Sequence, residues 1–178
     1  PTLGERVQLA AKLSKEQIYL DGDAGLIDQM IMNLSINARD AMPEGGRLEI
    51  ETSIVEVHDA KMPDGVFLNY RAGRFACVSV RDSGTGITTE VMARMFEPFF
   101  TTKEIGKGTG LGLSIVHGVV QQHDGWIRVQ SAVGHGTEFA IYLPAANSAP
   151  AGAVVVEQLV GGKATILLVE DEAIVRES

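Results

Sequence analysis

Apolar residues recur at helical spacing between positions 24 and 42 and at strand spacing in several stretches beyond it. Ile27, Met30, Ile31, Leu34, Ala38 and Ala41 follow the i, i+3, i+4, i+7 pattern of a buried helical stripe. Asp23 stands where a cap belongs, and Pro43 with the glycines of "MPEGG" stops the helix. "RLEIETSI" then alternates, with Leu48, Ile50, Thr52 and Ile54 on one face and Glu49, Glu51 and Ser53 on the other, a half-exposed strand. "RFACVSVRD" gives a second strand, "WIRVQS" a third and "TEFAIYL" a fourth, with "AVGHG" turning between the last two. A helix from Gly110 to His123, closed at Gly125, separates the second from the third. "RVQLAAKL" and "EQIYL" predict two short strands with a turn near Ser14, and "EVMARMF" a short helix. The predicted fold is an α/β two-layer sandwich, a mixed and largely antiparallel sheet with helices on one face.

From Ala145 the pattern dissolves into Ala, Pro, Gly, Ser and Val, which predicts a domain over 1–144 and a linker over 145–163. Residues 164–178, "ATILLVEDEAIVRES", open a new unit: the apolar run Ile166 to Val169 suits a buried parallel strand and ends in acids. Residues 139–156 carry no charge, yet Pro144, Asn147, Ser148, Pro150 and Gly152 make them a strand end and linker, not a membrane span. "PTLGERVQL" has no signal-peptide pattern, and so abrupt a start reads as an excerpt from a longer protein.

Composition changes this picture little. At 178 residues, 45% hydrophobic and 21% charged, the chain holds one folded domain and a remnant of another. A net charge of −8 argues against a general nucleic-acid or anionic-membrane surface. The single cysteine, Cys77, lies in the apolar run "FACVSV" and reads as a buried structural thiol, in keeping with the cytoplasm.

Candidate chemistry sits at the polar positions that interrupt these elements. Gln29, Asn33, Asn37 and Asp40 share one face of the first helix, either as a solvated face or as amide oxygens for Mg2+, which seldom takes an all-protein cage. Ala76, Val78, Val80 and Asp82 share one side of their strand, Phe75, Cys77, Ser79 and Arg81 the other. Asp82 is therefore a carboxylate at the edge of an apolar core, and needs a donor. It either caps the strand end as an Asx turn or accepts from the amino group of a planar ligand, with Gly84 and Gly86 admitting the ligand closely. The connection "EPFFTTKEIGKG" is long and glycine-ended, as mobile lids are, and offers Lys103 and Lys107 to phosphates. Phe96, Phe99 and Phe100 either anchor that connection or belong to ordinary core. "GKGTGLGLS", residues 106–114, is neither a Walker A loop nor a dinucleotide fingerprint, but its alternating glycines before a helix suit a phosphate.

Taken in order, "NLSINARDAM", "DSGTGI", "FEPFFTTK", "GKGTGLGLS" and "GHGT" resemble the five sequence boxes of the catalytic, ATP-binding domain of bacterial sensor histidine kinases. That superfamily is shared with gyrase-type and mismatch-repair ATPases, and the resemblance implies their Bergerat-type sandwich. The tail "ILLVEDE" resembles the first strand and acidic cluster of a receiver domain, which implies a hybrid histidine kinase.

The resemblance implies ATP and Mg2+ as cofactors and assigns roles. Asn37 coordinates Mg2+ with the phosphates, assisted by Asn33; Lys103 joins these two as a catalytic residue. Asp82 accepts from the adenine amino group, with Thr137 at the same edge, and Gly84 and Gly86 let the purine pack. Gly108, Gly110 and Gly112 cradle the phosphates, and Asp40, Ala41, Ile87, Thr102, Lys107, Thr109 and Leu111 complete the nucleotide set. Glu170 and Asp171 are metal ligands only in an intact receiver. Hydrolysing relatives look to have a glutamate where this chain has Asn33; an amide cannot take water's proton, so the γ-phosphoryl passes to another acceptor.

None of His58, His117, His123 and His135 lies in an "H-E" acceptor motif, and His117 and His123 read as helix-surface residues. The resemblance therefore places the acceptor histidine on a dimerisation domain before Pro1, leaving the segment alone unable to phosphorylate. The implied partners are that domain, a receiver or response regulator, and a second copy as homodimer, with no nucleic acid and no direct membrane contact. A nucleotide-responsive binding module without kinase activity is the alternative, and a gyrase-type ATPase the third.

Overall fold

The computed structural model describes residues 6–58, 66–103 and 108–146. The elements run β1 (Val7–Lys12), β2 (Tyr19–Leu20), α1 (Ala24–Asp40), β3 (Gly46–Val57), β4 (Val66–Leu68), β5 (Gly73–Asp82), α2 (Thr89–Met92), α3 (Gly112–Gln122), β6 (Trp126–Ala132) and β7 (Gly136–Ala146). The expected sandwich is present. Its sheet is ordered β1-β3-β5-β7-β6-β4, with β2 paired to the end of β7. β1 is parallel to β3 and every other pairing is antiparallel.

Asp23 starts α1 by accepting from the backbone N–H groups of Gly25 and Leu26, as an N-cap does. The helix then buries Met30, Leu34 and Ala38 against the sheet, while Ile27, Ile31 and Ala41 are half-buried at the margins of the stripe. Leu48, Val78, Val80, Ile127, Val129, Phe139 and Ile141 meet them from β3, β5, β6 and β7, and Val116, Val119 and Val120 from α3. Truncating a side chain as enclosed as Leu34 to alanine costs about 2–5 kcal/mol.

The face of the sheet away from the helices is not wholly polar. At one end Phe75, Cys77, Trp126, Ala140 and Tyr142 form a second buried cluster, in which Trp126 and Tyr142 stack with ring centroids 3.6 Å apart. The rest of that face is ionic. Glu138 bonds Arg81 and Ser79 at 2.9 Å each and Arg128 at 3.3 Å, and Glu49 pairs with Lys12 and Arg47.

Several boundaries differ from the sequence reading. β2 holds two residues of "EQIYL", β3 extends beyond "RLEIETSI" at both ends, and α3 begins at Gly112. β4 was not expected from the pattern, since three residues carry too little periodicity to stand out. β7 runs through Ala146, past the expected start of the linker at 145, because Ala145 and Ala146 pair with Leu20 and Tyr19. Lys107, Glu170, Asp171 and the rest of the linker and tail lie outside the described residues. Among the described residues no helix is long and apolar enough to cross a membrane.

Candidate functional site

At the end of β5 the strand register sets Asp82 between Leu48 of β3 and Thr137 of β7, on the helix side of the sheet. Its side chain is buried, 7% exposed, and Oδ1 accepts from the N–H of Gly84 at 2.8 Å and of Thr137 at 3.3 Å. This is the Asx turn that the spacing allowed, and it leaves Oδ2 for a donor from outside. Burial pushes the Asp82 carboxyl above its ordinary range, and the two N–H groups offset part of that rise. Thr137 in turn shares a hydrogen bond of 3.0 Å with Ser131, whose hydroxyl accepts from the N–H of Ile87 at 2.8 Å.

Ser131 was missed in the sequence. Its signal was parity: on β6 it follows Ile127 and Val129 on the core-facing row, where a hydroxyl needs a reason.

Gly84 closes this wall against α1. A Cβ there would stand 2.5 Å from the carbonyl oxygen of Ala41, which also accepts from Thr85 N–H at 3.0 Å. The turn can approach the helix end only without a side chain. A Cβ on Gly86 would stand 2.1 Å from the Ala132 carbonyl oxygen. The fold thus brings Ala41, Asp82, Gly84, Gly86, Ile87 and Thr137 together as one wall.

A second wall is the polar face of α1. Gln29 is exposed and Asn33 and Asn37 are half-buried. The Asn33 Nδ2 is buried with no hydrogen-bond partner. An orphaned donor of that kind costs about 1–3 kcal/mol, and such a cost persists at sites built for a ligand. Asn37 faces the start of α3: its Nδ2 lies 3.7 Å from where a Cβ on Gly112 would stand.

That helix start is itself open. Leu111, in the cap position, makes no side-chain cap bond, and the first turn holds no acid. Free N–H groups and the positive end of the helix dipole make such a terminus an anion site. The approach is set by Gly110, at φ +66°, whose carbonyl accepts from Phe99 N–H at 3.0 Å. A Cβ on Gly110 would stand 2.4 Å from the Phe99 carbonyl carbon. Gly108 lies against Thr101 and Lys103, the Thr109 hydroxyl accepts from Leu111 N–H at 3.3 Å, and Thr102 is exposed.

Asp40 bonds Lys103 Nζ at 2.5 Å and Arg39 Nη2 at 2.7 Å. Burial pushes its carboxyl up, but these two cations outweigh that and hold it below the usual carboxylate range.

Three readings are corrected. Phe99 is 74% exposed and anchors nothing in the core, whereas Phe96 packs on the core and meets His117 at 5.5 Å, and Phe100 lies under the Arg94 guanidinium. His117 is half-buried, and burial pushes its imidazole below the ordinary value. His123 is half-buried and structural: Nε2 accepts from Asp23 N–H at 3.1 Å while Nδ1 bonds the Val119 carbonyl at 2.7 Å. A cavity of about 440 Å³ beside His123 and Asp23 lies at the opposite ends of α1 and α3 from Asn37 and Gly112, and is no part of this site.

Among the described residues no group of three His, Cys, Asp or Glu side chains could hold a metal. A divalent cation here would take most of its ligands from phosphate and water, with the Asn37 amide oxygen beside them, which is the coordination Mg2+ prefers.

Residues 22–147 match the family model of histidine kinase-, DNA gyrase B- and HSP90-like ATPases. The chain is 42% identical to the sensor kinase CckA of Brucella abortus over 98% of its length, and 38% identical to sporulation kinase A of Bacillus subtilis over 73%. It spans 19% of the first relative and 18% of the second. Among solved structures it resembles the mycobacterial sensor histidine kinase MprB, with a TM-score of 0.59 and 26% identity over 79% of this chain and 83% of that one. It also resembles full-length ShkA in complex with AMPPNP, with a TM-score of 0.60 and 28% identity over 81% of this chain and 27% of that one.

Proposed function

This chain belongs to the family of histidine kinase-, DNA gyrase B- and HSP90-like ATPases, and from that membership we propose that it is the catalytic, ATP-binding domain of a hybrid sensor histidine kinase. The full protein transfers the ATP γ-phosphoryl to a histidine on a dimerisation domain outside this chain, for relay to a receiver aspartate. The observation that carries the reading is the meeting of two half-sites: a buried Asp82 with a spare oxygen, and Asn33 and Asn37 facing the uncapped start of α3.

Each half suits one end of ATP. Asp82 Oδ2 accepts from the adenine amino group, and Gly84 and Gly86 let the turn behind it pack against the Ala41 and Ala132 backbone. The N–H groups at the start of α3 bind phosphate oxygens, and the Asn33 Nδ2 donates to the same region. Mg2+, held through Asn37 Oδ1 and the phosphates, would neutralise phosphate charge. Lys103 and Lys107 supply further positive charge, and with so little covalent work for the protein, catalysis is positioning and electrostatics. Asn33 has no basic atom to take a proton from water, which favours transfer over hydrolysis.

The kinase works in the cytoplasm as a homodimer, its partners the histidine domain and a receiver or response regulator. The test supplies the chain with a separate histidine-helix domain and labelled ATP. Label on the histidine supports the kinase. Nucleotide binding without transfer to any acceptor domain would leave a nucleotide-responsive module, and free-phosphate release abolished by Asn33→Ala a gyrase-type ATPase.

A further inference from the structure

Asp40 stands one helical turn beyond Asn37, at the C-terminal end of α1. An extra carboxylate is unfavourable there, where the helix dipole is negative, unless it holds cations. It holds two. Arg39 reaches Oδ1 through Nε at 3.0 Å and Nη2 at 2.7 Å, and Lys103 Nζ reaches Oδ2 at 2.5 Å.

Lys103 comes from the far side of the site. Its Cδ lies 3.0 Å from where a Cβ on Gly108 would stand, so its stem lies against Gly108 while its ammonium meets Asp40 on α1. The lysine thus spans from Gly108 to the helix carrying Asn37, whose amide faces Gly112. Lys103 and Asp40 remain 34% and 25% exposed, so the pair is partly screened and open to exchange.

We propose that Asp40 is a positioning residue that stands in for a terminal phosphate: it holds Lys103 until a nucleoside triphosphate competes for that cation, and so sets the preference for triphosphate over diphosphate. The inference rests on the nucleotide-binding reading and goes beyond it, because it gives the carboxylate on the asparagine face a function other than touching the ligand. A diphosphate, one phosphate shorter, does not reach Lys103 and does not feel the competition.

The test is the dissociation constants of a non-hydrolysable ATP analogue and of ADP, with Mg2+, for the wild-type chain, Asp40→Asn, Lys103→Gln and the double variant. Asp40→Asn should raise the triphosphate-to-diphosphate affinity ratio by about two- to fivefold, the range an exposed ion pair allows. That gain should vanish in the Lys103→Gln background, which a general charge effect would not cause. An unchanged or lowered ratio overturns the proposal, as does a gain that persists without Lys103. Loss of both nucleotides in Asp40→Asn would make the residue a structural brace and overturn it too. A wild-type chain that binds neither nucleotide would overturn the nucleotide reading itself, and this proposal with it.

Discussion

Asp82 keeps a carboxylate in the core-facing row of β5, where burial raises its pKa above the ordinary 3.8. A raised carboxyl favours the fold fully below its unfolded value, and that contribution is lost as pH rises through the folded value. Asp82→Asn removes this pH dependence. The variant should melt at neutral pH no lower than the wild type, since its Oδ1 can still accept from Gly84 and Thr137, while its outward amide opposes an adenine amino group donor to donor. Thermal melts beside nucleotide titrations check both halves. Burial acts in the same direction on Cys77. It is enclosed, its thiol is pushed up to about 11, and it should react with a thiol reagent only after denaturant is added. That reading was open to the sequence, whereas the shared hydrogen bonds of Ser131 were not, because they depend on the register of β6 against β7.

At the scale of elements, the alternating glycines before α3 divide into different tasks. Gly110 holds a positive φ against the Phe99 backbone, so Gly110→Ala should lower stability by about 1–3 kcal/mol. Gly112 meets only the Asn37 amide, at 3.7 Å from a would-be Cβ, so Gly112→Ala should melt as the wild type does and bind nucleotide more weakly. Denaturant unfolding and nucleotide titration of the two variants separate these outcomes. The long α1 was legible because a cap, a stripe and a Pro-Gly stop agree, and so were β5 and β7, whose periodicity is strong. β4 was not legible, and neither was the exposure of Phe99. An aromatic in "FEPFF" reads as core until its neighbour Gly110 is seen to hold its backbone at φ +66°.

Across the described residues, the sheet separates the helix-covered face from an ionic one. The helix side carries the core and the candidate site; the opposite side is bound by Glu138 and its cations. Burial pushes the Glu138 carboxyl up, but bonds from Arg81 and Ser79 outweigh this and hold it below its ordinary 4.5. Its contribution is present above that value and lost as pH falls through the folded one. Glu138→Gln should cost about 1–3 kcal/mol at neutral pH, and the difference should close in acid. Equilibrium unfolding of both proteins across that range checks the sign. The chain spans 19% of the length of the Brucella abortus sensor kinase that it matches.

The central claim is that Asp82 and the asparagine face of α1 bind the two ends of one nucleotide. The most direct measurement is calorimetric titration of the wild-type chain, Asp82→Asn and Asn37→Ala with a non-hydrolysable ATP analogue, with and without Mg2+. Metal-dependent binding that Asp82→Asn abolishes and Asn37→Ala weakens is the predicted result. Binding that is indifferent to both substitutions, or no binding by the wild-type chain, would contradict the account.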